Sequence, residues 1–324
     1  MGTVNTVLIT GASGFVGGAA VREARRRGLA VIAQYRSLPH AAWEADPGIT
    51  PVKLDLAAPN ARHLLADLMP QVDAIVHAAA HLGDDPLQHE RLTLGGTRAL
   101  LAAIQGHGPR FVLVSSIALY DTMALEPGDT LDEQSPIERP ETARDSYSRA
   151  KLDQEALVRE ALHAAWLIRP GAVWGPGRTW HALLGFWASK LFVRIGGEEG
   201  ELPLIHVDSL ARILLNAVQT VPMGLATVNA LDDDRPSRAR FVAAHRAATG
   251  WPRFVLPVSY AQWLRVVRLV RPLSAALPGL FREPVARARL MPLTYPNTVL
   301  RGVLGGEDRA PFEDLLSRSV EGRP

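Results

Sequence analysis

Cysteine is absent from all 324 residues, which excludes disulfides, thiolate nucleophiles and cysteine-based metal sites. Lysine is nearly absent too: Lys53, Lys151 and Lys190 are the only three among 35 basic residues. No HExxH or comparable histidine–carboxylate spacing occurs, so no metal is expected. No apolar run reaches the length of about 18 residues that marks a membrane span. Net charge is small as well. A formal value of +2 gives no argument for nucleic acid, despite a sequence pI near 9.1. The chain enters its first strand within a few residues, so no signal peptide is expected and a cytoplasmic location is.

Composition is that of a globular protein, 47% hydrophobic and 21% charged. The length suffices for one large α/β domain or two smaller ones with a sizeable core. Apolar Val7, Leu8 and Ile9 run into Thr10, and Gly11, Gly14 and Gly17 then recur every third residue. From Phe15 to Arg27 small apolar residues recur on one helical face. Strand, tight turn and helix follow. In such a turn one glycine permits the bend, another lets backbone approach a pyrophosphate, and another lets helix and strand pack closely. The helix N-terminus offers free N–H groups to the anion. Gly11, Ser13, Gly14, Phe15, Val16 and Gly17 are therefore cofactor-binding candidates.

A second strand, Ala30–Ala33, ends at Gln34-Tyr35-Arg36, where an NAD-binding unit usually places an acid on the adenine ribose. Arg36 stands in that region instead and can meet a 2′-phosphate, so NADP(H) is preferred, with NAD(H) possible. A third strand, Ile49–Leu54, closes on Asp55 and Leu56, with Asp55 placed to reach an adenine edge. A fourth, Asp73–His77, leads into Ala78, Ala79 and Ala80, whose small side chains let a ligand lie close to backbone. Leu87–Gln105 reads as a helix and Arg110–Val114 as a fifth strand ending in Ser115 and Ser116. This alternation predicts a parallel, doubly wound sheet whose ligands lie beyond the strand carboxyl ends.

After a proline- and acid-rich loop over residues 126–145, a helix is expected from Ser146 to His163, then the strand Ala165–Arg169. Tyr147 and Lys151 lie four apart and share a face. A carbonyl receiving hydride needs a proton donor; an alcohol losing hydride needs a base. Lys151 would favour the Tyr147 phenolate and bond a nicotinamide ribose, and the Ser116 hydroxyl would hold the substrate oxygen. Ser116, Tyr147 and Lys151 are the catalytic candidates, the last two also touching cofactor.

Together these motifs resemble the extended short-chain dehydrogenase/reductase superfamily, of the NAD(P)-dependent epimerase/dehydratase type. The resemblance covers roughly residues 4–218: Thr10-Gly-Ala-Ser-Gly-Phe-Val-Gly17, Asp55-Leu56, His77-Ala78-Ala79, Ser115-Ser116, Tyr147/Lys151, Arg169-Pro-Gly, Gly175-Pro-Gly177 and His206-Val-Asp208. It implies a Rossmann-like fold with bound NAD(P), the catalytic roles above, and Ser115, Pro170 and Val173 beside the cofactor. Thr93-Leu-Gly-Gly-Thr97 departs from the family's N-V-x-G-T, Ala172 replaces a frequent asparagine, and the strand-two acid is missing. These departures point toward members resembling dihydroflavonol reductases and 3β-hydroxysteroid dehydrogenases, which handle fairly apolar substrates.

Two portions are expected. Residues 1–170 form the NAD(P)-binding part, with 203–220 returning to it, and 171–324 form a smaller, mainly substrate-binding part. Leu204–Asp208 is read as a strand and Ser209–Gln219 as a helix of the main sheet. His206 and Asp208 are expected to bond backbone and orient a loop. His81, Ser116, Trp174, Trp180, His181 and Trp187 are the substrate candidates. The segment Gln262–Phe281 reads as a helix covering an apolar pocket, or lying on a membrane surface. Helices Leu87–Gln105 and Ser146–His163 suggest a homodimer. The function expected is an NADP(H)-dependent reductase or dehydrogenase interconverting a ketone and a secondary alcohol on a small, largely apolar substrate. Alternatives are a nucleotide-sugar epimerase, dehydratase or 4-ketoreductase, with Arg178, Arg194 and Arg212 as diphosphate candidates, and a non-catalytic NADP-binding regulatory module.

Overall fold

Alternating apolar strands and amphipathic helices dictate the architecture of this computed structural model, which describes residues 3–322. The strands are β1 (Thr6–Thr10), β2 (Ala30–Tyr35), β3 (Ile49–Lys53), β4 (Ala74–His77), β5 (Arg110–Val114), β6 (Ala165–Pro170), β7 (Ala172–Trp174), β8 (Gly185–Ala188), β9 (Leu191–Ile195), β10 (Leu204–His206), β11 (Leu225–Ala230) and β12 (Phe254–Val258). The helices are α1 (Phe15–Arg26), α2 (Ala61–Leu68), α3 (Pro86–Gln88), α4 (Gly96–Ala103), α5 (Ser146–Ala161), α6 (Val207–Gln219), α7 (Arg238–Thr249), α8 (Tyr260–Leu269), α9 (Glu283–Leu290), α10 (Thr298–Val303) and α11 (Phe312–Glu321).

Seven strands form one sheet in the order β11-β6-β5-β4-β1-β2-β3, every neighbouring pair parallel. Successive strand residues bury on opposite faces, as the period of two requires. Val7 and Ile9 join the core that holds α1 and α6, and Leu8 joins the core that holds α2 and α4. Both faces are covered, so the strands read as continuous apolar runs. This is a Rossmann-like α/β fold. The order steps outward in both directions from β1 and β4, and a crevice opens at the carboxyl ends where it diverges.

Two elements differ from the reading of the sequence. β10 does not enter the main sheet but pairs with β7 in a two-stranded ribbon; the helix after it, α6, packs on α1. The edge of the main sheet is taken by β11, which pairs along its whole length with β6. The expected helix 87–105 is interrupted by a π-helical stretch, His89–Gly95, a local widening often found at functional sites.

Two further cores draw mainly on the chain beyond β6. One joins Tyr120 and Leu131 to Tyr260, Trp263 and Tyr295. The other joins Trp174, Phe192, Phe241 and Phe312. β9 stands between β12 and β8 in a three-stranded sheet.

Candidate active site

The turn after β1 is shaped by what glycine alone permits. Gly11 has φ of +64°, and a Cβ there would stand 2.9 Å from the Ala79 Cα, so the ends of β1 and β4 touch through backbone. A Cβ on Gly17 would overlap the Gly11 carbonyl, which explains why helix and strand pack so closely here. Gly14 caps α1 without any side-chain hydrogen bond. The free N–H groups of the first turn therefore face the crevice and favour an anion. Gln34, not foreseen from the sequence, locks the strand ends together. Its Oε1 accepts from the Gly11 amide at 2.9 Å and its Nε2 donates to the Leu54 carbonyl at 2.6 Å.

Next to this turn lies His77, fully enclosed. Thr97 spends its one hydroxyl proton on the Thr93 carbonyl at 2.6 Å. His77 Nε2 must then donate to Thr97 Oγ1 at 2.9 Å, and Nδ1 accepts from the Thr10 hydroxyl at 2.7 Å. Burial pushes the His77 pKa down to about 3, with Lys151 adding to the effect. The imidazole is a neutral structural bridge.

The catalytic candidates converge. Asp145 caps α5 by accepting from the Ser148 amide at 2.7 Å, which fixes the helix start and sets Tyr147 in its first turn. The Tyr147 phenol and the Ser116 hydroxyl line the same cleft, and Ser116 accepts from the Ala118 amide at 3.1 Å. Lys151, one turn on, is buried. It donates to the Val114 carbonyl and to Gln154 Oε1, both at 2.8 Å, and Gln154 Nε2 donates to Thr97 at 2.9 Å.

One expectation is corrected here. The Tyr147 pKa is raised, not lowered: burial dominates, and the opposing pull comes from Ser116 and Arg144. The ammonium is turned toward carbonyl acceptors, as a cation in a dry site requires. Burial in turn lowers the Lys151 pKa to about 8, against the pull of Glu155.

Beneath the site, Ser115 donates to Glu155 at 2.6 Å, and Glu155 takes a two-pronged bond from Arg169 at 2.9 and 2.8 Å. The Arg169 guanidinium lies 5.0 Å from the Tyr120 ring centre, and Tyr120 donates to Asn229 at 2.7 Å. Burial raises the Glu155 carboxyl, but the bonds and charge of Arg169, with Ser115, outweigh it and leave its pKa below the ordinary value.

A single cleft of about 890 Å³ joins these parts. Every cofactor candidate lines it: the turn Gly11 to Gly17 at Gly11, Ser13, Gly14, Phe15, Val16 and Gly17, then Arg36, Asp55, Leu56, Ala78, Ala79, Ala80, Ser115, Tyr147, Lys151, Pro170 and Val173. Asp55 also pairs with Arg91 at 3.0 Å. Of the substrate candidates, Ser116, His81 and His181 line it. His81 Nε2 is buried without a protein partner; His181 Nε2 sits 3.3 Å from the Val173 carbonyl.

The tryptophans do not line the cleft. Trp174 is fully buried and donates to Asp232 at 2.9 Å. Trp180 and Trp187 pack with Trp251 in a separate aromatic cluster, because rings of that size gain most from each other and from the second core. Of the three arginines proposed for a diphosphate, Arg178 alone lines the cleft, its guanidinium 4.7 Å from the Phe15 ring centre. Arg194 lies in a shallow groove elsewhere, and Arg212 bonds Ser209 and the Glu307 carbonyl. Arg289, Leu131, Leu183 and Tyr295 complete the wall. They come from distant segments with no shared motif, so no local signal marks them. His206 caps α6 through the Asp208 amide at 3.3 Å and meets Ser319 at 3.2 Å. Among the described residues no cluster of three or more metal-ligating side chains occurs.

A Rossmann-like sheet whose first glycine turn, third-strand carboxylate and Ser–Tyr–Lys group share one cleft defines an NAD(P)-dependent class of protein. The side-chain-poor cradle of Gly11, Gly14 and Ala79, faced by open N–H groups, fits the pyrophosphate of such a dinucleotide. The chain belongs to the NAD dependent epimerase/dehydratase family, whose model matches residues 7–229. It is therefore an NAD(P)-dependent enzyme of the extended short-chain dehydrogenase/reductase type. It is 31% identical over 256 residues to a 3-diazoavenalumate denitrifying reductase of Streptomyces sp, covering 75% of this chain and 81% of that one. It is 29% identical over 228 residues to the ceramide reductase of Caulobacter vibrioides, covering 69% and 64%. Among solved structures it superposes on MoeE5 in complex with UDP-glucose and NAD, with a TM-score of 0.70 at 21% identity and 98% coverage of each chain.

Proposed function

We propose that the protein is an NADP(H)-dependent reductase that interconverts a ketone and a secondary alcohol on a small, largely apolar molecule. The observation that carries this reading is the meeting of Ser116, Tyr147 and Lys151 on a cleft also lined by Leu92, Ile117, Leu131 and Leu183. When bound, the reduced dinucleotide supplies a hydride to the carbonyl carbon. Ser116 holds the carbonyl oxygen, and the Tyr147 hydroxyl gives it a proton as the C–O π bond becomes a lone pair. In the reverse direction the same phenol oxygen takes the proton back. Lys151, positioned by Val114 and Gln154, holds a nicotinamide ribose. The proposal includes the division into a 1–170 cofactor portion, joined by 203–220, and a 171–324 substrate portion. A homodimer in the cytoplasm also belongs to it.

The preference for NADP(H) rests on Arg36, which ends β2 on the cleft and is paired with no carboxylate among the described residues. Arg36→Ala is expected to weaken NADPH binding by about 10- to 100-fold, the worth of a lost charge-assisted contact. NADH binding should change little. Equal loss of both, read by fluorescence titration, would remove Arg36 from the 2′-phosphate.

A second reading, a nucleotide-sugar epimerase or dehydratase, keeps Arg178 and Arg289 as cations on the cleft. It loses Arg194 and Arg212, which lie outside. Denaturing the purified protein and weighing the released nucleotides separates the two. An empty protein that then takes NADPH in preference to NADH supports a reductase that exchanges cofactor every turnover. Retained NAD would overturn it in favour of an enzyme that regenerates its cofactor internally.

A further inference from the structure

The chain's charge is spread unevenly. From Arg235 to Arg282 it carries nine arginines and not one aspartate or glutamate. This acid-free stretch runs through α7, β12 and α8. The inner face of α8 behaves as a core helix should, burying Tyr260, Trp263 and Val267. These pack in one cluster with Leu131 and Tyr295, two residues of the cleft wall.

The outer face does not show the polar character expected of a solvated helix. Val266 is 40% exposed, Leu269 81%, and Leu273 just beyond the helix 66%. Arg265, Arg268 and Arg271 are interspersed and exposed. Arg268 pairs with Glu283 at 2.9 Å. Arg265 and Arg271 have no acidic partner among the described residues. β12, which leads into α8 through a capping box at Ser259, leaves Phe254 and Leu256 exposed as well.

Single exposed leucines are ordinary. Leucines set among unpaired arginines are the composition of a helix that lies in a lipid interface. We propose that the outer face of α8 and the turn after it docks on an anionic phospholipid bilayer. Leu269 and Leu273 enter the acyl boundary, and Arg265 and Arg271 meet the phosphates. The charge argues for this occupant over the others. A second copy seated on the same face would oppose arginine to arginine, and a nucleic acid would match the arginines but leave the leucines wet. Docking here would bring the substrate wall of the cleft to the membrane, where a lipophilic ketone concentrates. The docking does not depend on the reaction proposed above.

The test is sedimentation of the full chain with vesicles of phosphatidylcholine alone or mixed with phosphatidylglycerol. Binding is expected to the anionic vesicles only and to be released by high salt. Arg265→Glu with Arg271→Glu should weaken it by more than about tenfold. Leu269→Ser with Leu273→Ser should weaken it while leaving helical circular dichroism and NADPH binding intact. No sedimentation with anionic vesicles overturns the proposal. So does equal binding to both vesicle types, or binding indifferent to these substitutions. Self-association seen by light scattering and abolished by Leu269→Ser would assign the face to a second copy instead.

Discussion

Replacing Tyr147 by phenylalanine is expected to lower kcat by about 10³-fold, inside the range of 10² to 10⁴ that general acid–base catalysis supplies. The substitution removes one oxygen and keeps the ring, so α5 and its Asp145 cap stay in place. NADPH affinity, read by fluorescence titration, should move by less than about twofold. In the proposed mechanism the group lost is the donor of the proton that the Ser116-held oxygen receives. Burial raises the phenol's pKa above its ordinary value. Turnover that survived the change would mean that the proton comes from elsewhere, with His81 an alternative on the cleft, and the proposed mechanism would fall.

The largest effect on stability is expected from Glu155→Ala. Glu155 and Arg169 are each 3% exposed, and removing the carboxylate strands a guanidinium in the core along with the Ser115 hydroxyl. Breaking such a pair costs about 3–5 kcal/mol, which thermal or urea unfolding would detect. Replacing both partners with apolar residues, Glu155→Leu with Arg169→Met, should recover much of the loss, because the desolvation penalty leaves with the charges. A single substitution as harmless as the double would show that the pair carries nothing. The pH dependence has a definite sign. The native carboxyl pKa lies below its unfolded value, so this contribution is complete above the ordinary glutamate pKa. It is lost as pH falls through the lowered native one.

What could be read without coordinates was local. The glycine turn and α1 announce themselves through spacing, and Tyr147 and Lys151 through a helical period that one N-cap fixes. The alternating apolar runs gave β1 to β6 nearly to the residue. Aromatics were misread because the depth of a ring depends on partners far along the chain. Trp174 is held by Asp232, and Trp187 by Trp251, and no window around either residue contains its partner. The bond of Lys151 was not legible either, since the Val114 carbonyl that accepts it belongs to β5, far back along the chain. Gln34 and Gln154 escaped notice for the same reason: a glutamine three residues after a lysine is unremarked until Thr97 turns out to be its second partner.

The tryptophan cluster has an optical consequence. Trp187 and Trp251 stack with centres 4.5 Å apart and planes 23° from parallel, and Trp180 meets Trp251 edge-on at 4.6 Å. Indoles this close share their excited states, so together they produce a paired circular-dichroism band that no isolated tryptophan gives. All three indoles lie after residue 170, whereas the amide signal sums the helices and strands of the whole chain. Heating the protein while watching both wavelengths therefore compares the aromatic cluster with the whole chain in one cuvette. Coincident curves would describe a molecule that melts as one unit. An indole band that fades first would describe a fold able to outlast its aromatic cluster.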